Sequence, residues 1–139
     1  MKNNSRGFTL LELMVVVAVI AILASIAYPS YQNFVMQSRR SDAIEGLLSA
    51  QLRQEEHRVK TGSYVGHGQE AAIGLTDTTY YSFSVVSAAS SSGAPTYVIT
   101  ASASGSQLHD TNCRTLTIDN TDTKGSTSSS GAATSDCWQ

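Results

Sequence analysis

Close to the N-terminus lies an almost uninterrupted apolar run, residues 7–27, which reads GFTLLELMVVVAVIAILASIA. As a helix, the part from Phe8 to Ala27 is about 30 Å long, which matches the hydrocarbon thickness of a bilayer. Lys2 and Arg6 precede the run. Because basic residues favour the cytoplasmic side, we expect the short N-terminal tail to stay there while the rest is exported. The run predicts a membrane-spanning helix.

A single acid, Glu12, lies inside the run. A charged side chain in hydrocarbon costs about 3 kcal/mol or more, so such residues usually serve a function. A secretory signal peptide explains the run poorly, because its apolar region has only about 7–15 residues and ends at a small-residue cleavage site, unlike Tyr28-Pro29. A simple membrane anchor explains the length but gives no reason for Glu12.

The order RGFTLLEL at residues 6–13, followed by the aliphatic run, resembles the N-terminus of type IV pilins. The resemblance covers roughly the first quarter of the chain. It implies that a prepilin peptidase cuts after Gly7 and that the new N-terminal Phe8 is then N-methylated. It also implies that Glu12 helps to recruit and register the subunit in a growing filament. The amine of a neighbouring Phe8 is a natural partner for this carboxylate, which is costly to leave unpaired in lipid.

The 139 residues are enough for one domain with a modest core. The formal net charge is −2, and it becomes −4 without Lys2 and Arg6. A mildly acidic exported domain is not built for strong nonspecific DNA binding, although a local basic patch remains compatible with it.

Two cysteines, Cys113 and Cys137, lie in the portion expected to be exported. In an oxidising compartment they should pair, and closing a loop of this length stabilises a fold by about 3.5 kcal/mol on the chain-entropy model. Free or metal-binding thiols are a weak alternative, since neither a histidine nor another cysteine lies at ligand spacing. We therefore expect no metal and no other cofactor.

Beyond the apolar run, helical periodicity continues to Val59, and Gly62 is the expected stop. Pro29 removes one hydrogen bond, so we expect a kink there rather than a break. This predicts one helix of about 50 residues, whose first half lies in a membrane or filament core and whose second half packs on a sheet. The predicted core stripe is Ile44, Leu47, Leu48 and Leu52.

Several polar residues in the exported portion admit more than one interpretation. Arg39 and Arg40 fit a solvated face near the lipid headgroups better than ion pairs with neighbouring subunits. His67 lies between two glycines in the connection that includes Tyr64, which we expect to fold back on the core. We interpret His67 as an exposed loop residue rather than a ligand, and His57 and His109 are equally isolated.

Three segments alternate apolar and polar residues and are separated by loops rich in Ser, Gly, Asn and Asp. This pattern predicts an antiparallel meander. The apolar positions are Tyr81, Phe83 and Val85, then Tyr97, Ile99, Ala101 and Ala103, then Leu116 and Ile118. The predicted fold is α+β, with the long helix packed on a small sheet and a C-terminal loop closed by a disulfide.

The polar tail, residues 120–139, has a predicted turn at Lys124-Gly125 and ends in Cys137-Trp138-Gln139. Its order resembles the disulfide-bounded C-terminal region of pilins, most closely that of minor pilins. Trp138 is either a buried plug or an exposed contact, and buried packing is the commoner role.

The leading functional hypothesis is a structural subunit of a type IV pilus, a minor pilin that supports assembly, motility, adhesion or DNA uptake. The alternatives are a pilus-borne subunit that captures DNA or a surface, and a pseudopilin of a type II secretion system. An enzyme is unexpected, since no nucleophile–base–acid set, phosphate loop or metal spacing occurs. The expected organisation is a leader at 1–7, a membrane or filament-core helix at 8–29 and an exported head at 30–139.

The resemblance also implies where the protein resides and what it meets. Before assembly it would lie in the bacterial inner membrane as a single-pass protein with a cytoplasmic N-terminus, and afterwards in the cell-surface pilus. The implied partners are other pilin subunits, the prepilin peptidase and N-methyltransferase, the inner-membrane assembly platform and membrane lipid. DNA is a possible partner that the sequence does not indicate.

Overall fold

The computed structural model describes residues 8–89 and 93–139, and in this part of the chain it contains one long helix, two short 3-10 helices and four strands. Their bounds are α1 Leu10–Thr61, the 3-10 helices Glu70–Ile73 and Gly105–His109, β1 Tyr81–Ala89, β2 Pro95–Ala103, β3 Thr115–Asp119 and β4 Lys124–Thr127. The chain divides into two compact units, and the second, Met36–Gln139, holds the sheet and the core. The first unit ends at Val35.

Helix α1 has sequence signals at both ends. The Oγ1 of Thr9 accepts a hydrogen bond from the Glu12 amide at 3.2 Å, as an N-cap side chain does from the third helical residue. At the other end, Gly62 adopts a φ of 81°, and its amide donates to the Arg58 carbonyl at 2.8 Å. This left-handed conformation favours glycine, so Gly62 ends the helix as predicted. The helix continues through Pro29 without a break, while the kink stays a prediction.

The four strands form one antiparallel meander in the order β1-β2-β3-β4. The register places Val85 opposite Ile99 and Ile99 opposite Ile118, and all three side chains are fully buried. The predicted α+β fold is thereby confirmed. The turn predicted at Lys124-Gly125 is wrong, because these residues begin β4. Pairing with β3 supplies the order that this polar segment lacks by itself.

The face of α1 that packs on the sheet differs from the predicted stripe. Its buried residues are Ala43, Leu47, Ala50 and Gln54. Leu47 is therefore confirmed as core and Ile44 packs against the core half-buried, but Leu48 and Leu52 are 37% and 74% exposed. The physical reason is size, since two alanines let the helix approach the sheet more closely than a face of leucines would.

A buried polar residue connects α1 to the chain that follows it. The Gln54 side chain is fully buried, and its Nε2 donates to the Val65 carbonyl at 3.0 Å while its Oε1 accepts from the Val65 amide at 2.9 Å. Both polar atoms of the side chain are thus satisfied. The adjacent Tyr64 is 8% exposed and packs edge-on against Tyr97, with ring centroids 4.6 Å apart, which confirms that Tyr64 folds back on the core.

Candidate functional site

The first unit is an apolar helix without protein cover. Every described residue from 8 to 34 is exposed, and Phe8 and Leu10 are 86% and 76% exposed. Within the described residues, α1 contains one segment long and apolar enough to cross a membrane. A continuous apolar surface of this size marks a site of interaction with lipid or protein. The helix is therefore suited to a bilayer and to packing among other subunits.

The predicted assembly residues, Phe8 and Glu12, lie at the N-terminal end of this apolar segment, whereas Gly7, which with Phe8 forms the predicted processing site, falls outside the described residues. Glu12 is exposed in the first turn, and its backbone amide is capped by Thr9. An acid in the first turn also interacts favourably with the helix dipole. Glu12 therefore has a local structural role that the sequence analysis missed, although the T-x-x-E spacing of residues 9–12 is a recognisable signal for it.

The second unit carries a disulfide between Cys113 and Cys137, as predicted, with Cα atoms 5.6 Å apart. Both half-cystines are buried, at 3% and 1% exposure. The bond fixes the end of the chain beside the sheet, because Cys113 directly precedes the segment that leads into β3.

The segment held by this disulfide covers the outer edge of β4. The Thr134 amide donates to the Ser126 carbonyl at 2.9 Å, and the Ser126 hydroxyl donates to the Thr134 carbonyl at 2.7 Å. The indole Nε1 of Trp138 donates to the Gly125 carbonyl at 2.8 Å, and the half-buried ring packs against the core. An uncovered edge is a template for pairing with another chain, so the tail protects the sheet from wrong association.

A polar cluster joins the start of the head's helix to the disulfide. The guanidinium of Arg40 donates two hydrogen bonds to Asp110 Oδ2, at 2.7 Å and 3.2 Å. The Oδ1 of Asp110 accepts from the Cys113 amide at 3.2 Å, and the buried Gln107 amide donates to Asp110 Oδ2 and to the Met36 carbonyl. We call Arg40, Gln107 and Asp110 the polar latch. Sequence analysis missed it, because α1 and the 3-10 helix Gly105–His109 are far apart in the chain.

The latch corrects the interpretation of Arg39 and Arg40 as a solvated face. Arg40 is 16% exposed at its side chain and is paired within the head. The Arg39 guanidinium carbon lies 3.7 Å from the centroid of the Tyr80 ring, and its Nη1 donates to the Ser106 hydroxyl at 3.0 Å. A stacked guanidinium of this kind is held in place by a cation–π contact.

Each of the three histidines lies next to a different residue of the head. His57 Nδ1 is 2.9 Å from the Ser63 carbonyl, His67 Nδ1 is 3.4 Å from Glu70 Oε1, and His109 Nδ1 is 3.0 Å from the Ser106 carbonyl. Within residues 8–89 and 93–139, no group of three His, Cys, Asp or Glu side chains is placed to hold a metal ion.

A membrane-suited helix followed by a head of one helix on a meander, closed by a C-terminal disulfide, agrees with matches to two family models. A prokaryotic N-terminal methylation motif matches residues 2–28. The family described as "Type IV minor pilin ComP, DNA uptake sequence receptor" matches residues 29–117. The chain belongs to this family of type IV pilins.

Known pilins resemble this one in sequence and in fold. The pilin is 34% identical over 94 residues to the fimbrial protein EcpC of Eikenella corrodens, a match that covers 67% of this chain and 61% of EcpC. It is 32% identical over 88 residues to the type IV major fimbrial protein FimA of Dichelobacter nodosus, covering 62% and 54%. The pilin thus spans less than two thirds of the length of these relatives.

The fold has a counterpart among solved structures. A type IV pilin from Shewanella oneidensis is 25% identical and superposes with a TM-score of 0.50, covering 64% of this chain and 89% of the other. The fold and the sequence relatives together confirm the resemblance to type IV pilins found in the sequence.

Proposed function

We propose that this pilin is a minor subunit of a type IV pilus that supports fibre assembly. The observation that carries the proposal is the bare apolar helix at residues 8–34, joined in sequence to a head that buries its own core and covers the free edge of its last strand. The helix needs lipid or other helices around it, whereas the head is suited to water.

Before assembly, the subunit lies in the inner membrane with its leader, residues 1–7, in the cytoplasm. Lys2 and Arg6 of the leader keep the N-terminus on the cytoplasmic side. The peptidase cuts between Gly7 and Phe8, and Phe8 is methylated. Residues 8–29 then anchor the subunit in the bilayer, where the assembly platform takes it up, and residues 30–139 form the exported head. The methylation-motif match over residues 2–28 supports this sequence of events.

In the fibre, Glu12 pairs with the Phe8 amine of a neighbouring subunit. Both residues are exposed at the same end of the helix and are available to a partner. An ion pair in an apolar surrounding is sensitive to geometry, since each charge left unpaired there is costly. The pairing therefore favours one axial register of neighbouring helices over others.

A second candidate function, capture of DNA at the pilus surface, is favoured by the match to the DNA uptake sequence receptor family over residues 29–117. The charge of the head limits how it would do so. Residues 30–139 carry seven Lys and Arg against ten Asp and Glu, a formal net charge of −3. A general electrostatic field therefore repels DNA, and capture needs a local group of cations.

The assembly role is tested by deleting the gene and counting surface fibres by electron microscopy. The second candidate function is tested in the same deletion strain by measuring the uptake of labelled DNA into a nuclease-protected form. Loss of fibres that the wild-type gene restores supports assembly. If the deletion strain has normal fibres but no longer takes up DNA, the assembly role is contradicted and DNA capture is supported instead. Normal fibres with lost protein secretion would identify a pseudopilin instead.

A further inference from the structure

The C-terminal part of α1 borders a polar depression of about 390 Å³, which lies within the second unit and is lined by Arg53, Glu56, His57, Lys60 and Ala72. We call it the basic depression. Its three basic side chains follow one face of the helix at steps of four and three residues, and a single acid accompanies them. The walls therefore hold more positive than negative charge, in a head whose total charge is negative.

Arg53 lies beside Gly74 and is not neutralised by an acid. Gly74 has a φ of 73°, and a Cβ at this position would lie 2.5 Å from Arg53 Nη1 and 2.9 Å from its Cζ. The guanidinium thus lies across the glycine, which leaves room for it and which few other residues could replace at this φ. Within the described residues Arg53 forms no salt bridge, whereas Lys60 pairs with Glu56.

The neighbouring groups in the depression are arranged around the same open space. His57 Nδ1 is 2.9 Å from the Ser63 carbonyl, so a proton donated there leaves Nε2 as the free polar atom of the ring. Glu56 has its pKa lowered by a hydrogen bond and the charge of Lys60, and Arg53 adds to this effect. The one acid in the site is therefore ionised and faces two cations.

Apart from Arg53, the described Lys and Arg residues of the head each have a partner, and that of Lys60 is the exposed Glu56. Arg40 is bound to Asp110, Arg58 donates to the Tyr64 hydroxyl at 2.7 Å, and Arg114 donates to the Leu108 carbonyl at 2.8 Å. Arg39 stacks on Tyr80, and Lys124 lies 3.8 Å from Asp122. By comparison, the basic depression combines an unpaired guanidinium with a cavity that an anion can enter.

We propose that the basic depression binds backbone phosphates of duplex DNA, with Arg53 and Lys60 as the phosphate contacts and His57 between them. This rests on the second candidate function. Arg53 and Lys60 are seven residues apart, or about 10 Å along the helix, while phosphates of one strand advance about 3.4 Å each along the duplex axis. The row therefore spans about three phosphate steps. Such contacts position the duplex and carry no sequence information themselves.

The test uses the mature full chain in a non-ionic detergent and a short fluorescein-labelled DNA duplex, with affinity measured by fluorescence anisotropy at several salt concentrations. The double variant Arg53→Gln/Lys60→Gln removes two positive charges from the depression. The matched control, Arg58→Gln/Lys124→Gln, removes two positive charges from elsewhere on the head. Circular dichroism checks that both variants keep the helix and sheet content of the parent.

We expect Arg53→Gln/Lys60→Gln to reduce the slope of log affinity against log salt by about two, because each lost phosphate contact removes about 0.9 from the slope. The control should keep the parent's slope. Equal losses in both variants, or an unchanged slope in Arg53→Gln/Lys60→Gln, would overturn the phosphate site and leave DNA capture standing. Absence of DNA binding by the parent chain would overturn DNA capture, and the site with it.

Discussion

Arg40 and Asp110 form a salt bridge of 2.7 Å in which the two side chains are 16% and 6% exposed. The pair joins the first turns of the head's helix to the residue that also holds the Cys113 amide. A buried carboxylate is stable only with its partners, so this contact makes the position of the helix depend on the loop before the disulfide.

Replacing Arg40 by Met should destabilise the head by about 3 kcal/mol, because it removes one partner of a buried pair and leaves Asp110 charged and unpaired. Urea unfolding followed by circular dichroism measures this change. Lys60→Met is the control, since it breaks an exposed pair with Glu56 and should leave the unfolding midpoint in place. A midpoint of Arg40→Met equal to that of the parent would show that the latch adds no stability.

Removing the disulfide with Cys113→Ser/Cys137→Ser should cost about 3.5 kcal/mol, the chain-entropy value for a loop of this length. The Thr134 amide and the Trp138 indole N–H, which bond to β4, should then exchange with solvent much faster, whereas amides of β2 keep their relative protection. Hydrogen exchange by NMR measures both groups. Equal loosening of β2 would mean that the disulfide supports the whole sheet and not the tail alone.

Glu12→Val should insert into the membrane and be processed, yet enter pili poorly, because membrane insertion needs only apolar residues while registration needs the carboxylate. Glu12→Asp has a shorter side chain, so its level of entry into pili should lie between those of Glu12→Val and the parent. Immunoblots of sheared pili and of membrane fractions measure the amount of subunit in pili relative to the amount left in the membrane. Glu12→Gln separates charge from helix capping, since Gln also serves at this position of a capping box. Normal entry of Glu12→Val into pili would remove the assembly role of Glu12.

The mature chain should begin at Phe8 and carry one added methyl group. A bulky residue in place of Gly7 should block cutting, because a small side chain lets the peptidase approach the backbone. Intact-mass spectrometry of protein from sheared pili measures both. Recovery of chains that still contain Met1 from normal pili would contradict the prediction.

The head should lose part of its stability in acid through Glu70. Hydrogen bonds from its own backbone amide and that of Gly68 lower the pKa of Glu70 below its usual value, and it also accepts from the Val85 amide of β1. Because the folded-state pKa is the lower one, the stabilisation is present above the unfolded pKa and is lost as pH falls through the folded pKa. Glu70→Gln should flatten this part of the curve of unfolding free energy against pH, while Asp136→Asn, an exposed control, should not.

The N-terminal half of the molecule could be predicted from the sequence because its signals are local. The apolar run is one contiguous segment, and the acid within it and the Gly62 stop are visible in the residues around them. The alternating segments predicted three strands for the same reason, since a side-chain period of two is visible wherever one face of a strand is buried. The pairing of the two cysteines followed from the export that the membrane helix implies.

Only the tertiary structure decided what depends on partners distant in the chain. Several residues on the head's helix repeat at helical spacing, and the sheet selected the face with Ala43 and Ala50 rather than the one with Leu48 and Leu52, because small side chains allow close approach. Strand β4 has no apolar alternation. It is stabilised by backbone hydrogen bonds to β3 on one edge and to the disulfide-held tail on the other. Arg40 and Asp110 meet because folding brings together segments that carry no mutual signal in the sequence, and burial then makes their charge pairing obligatory.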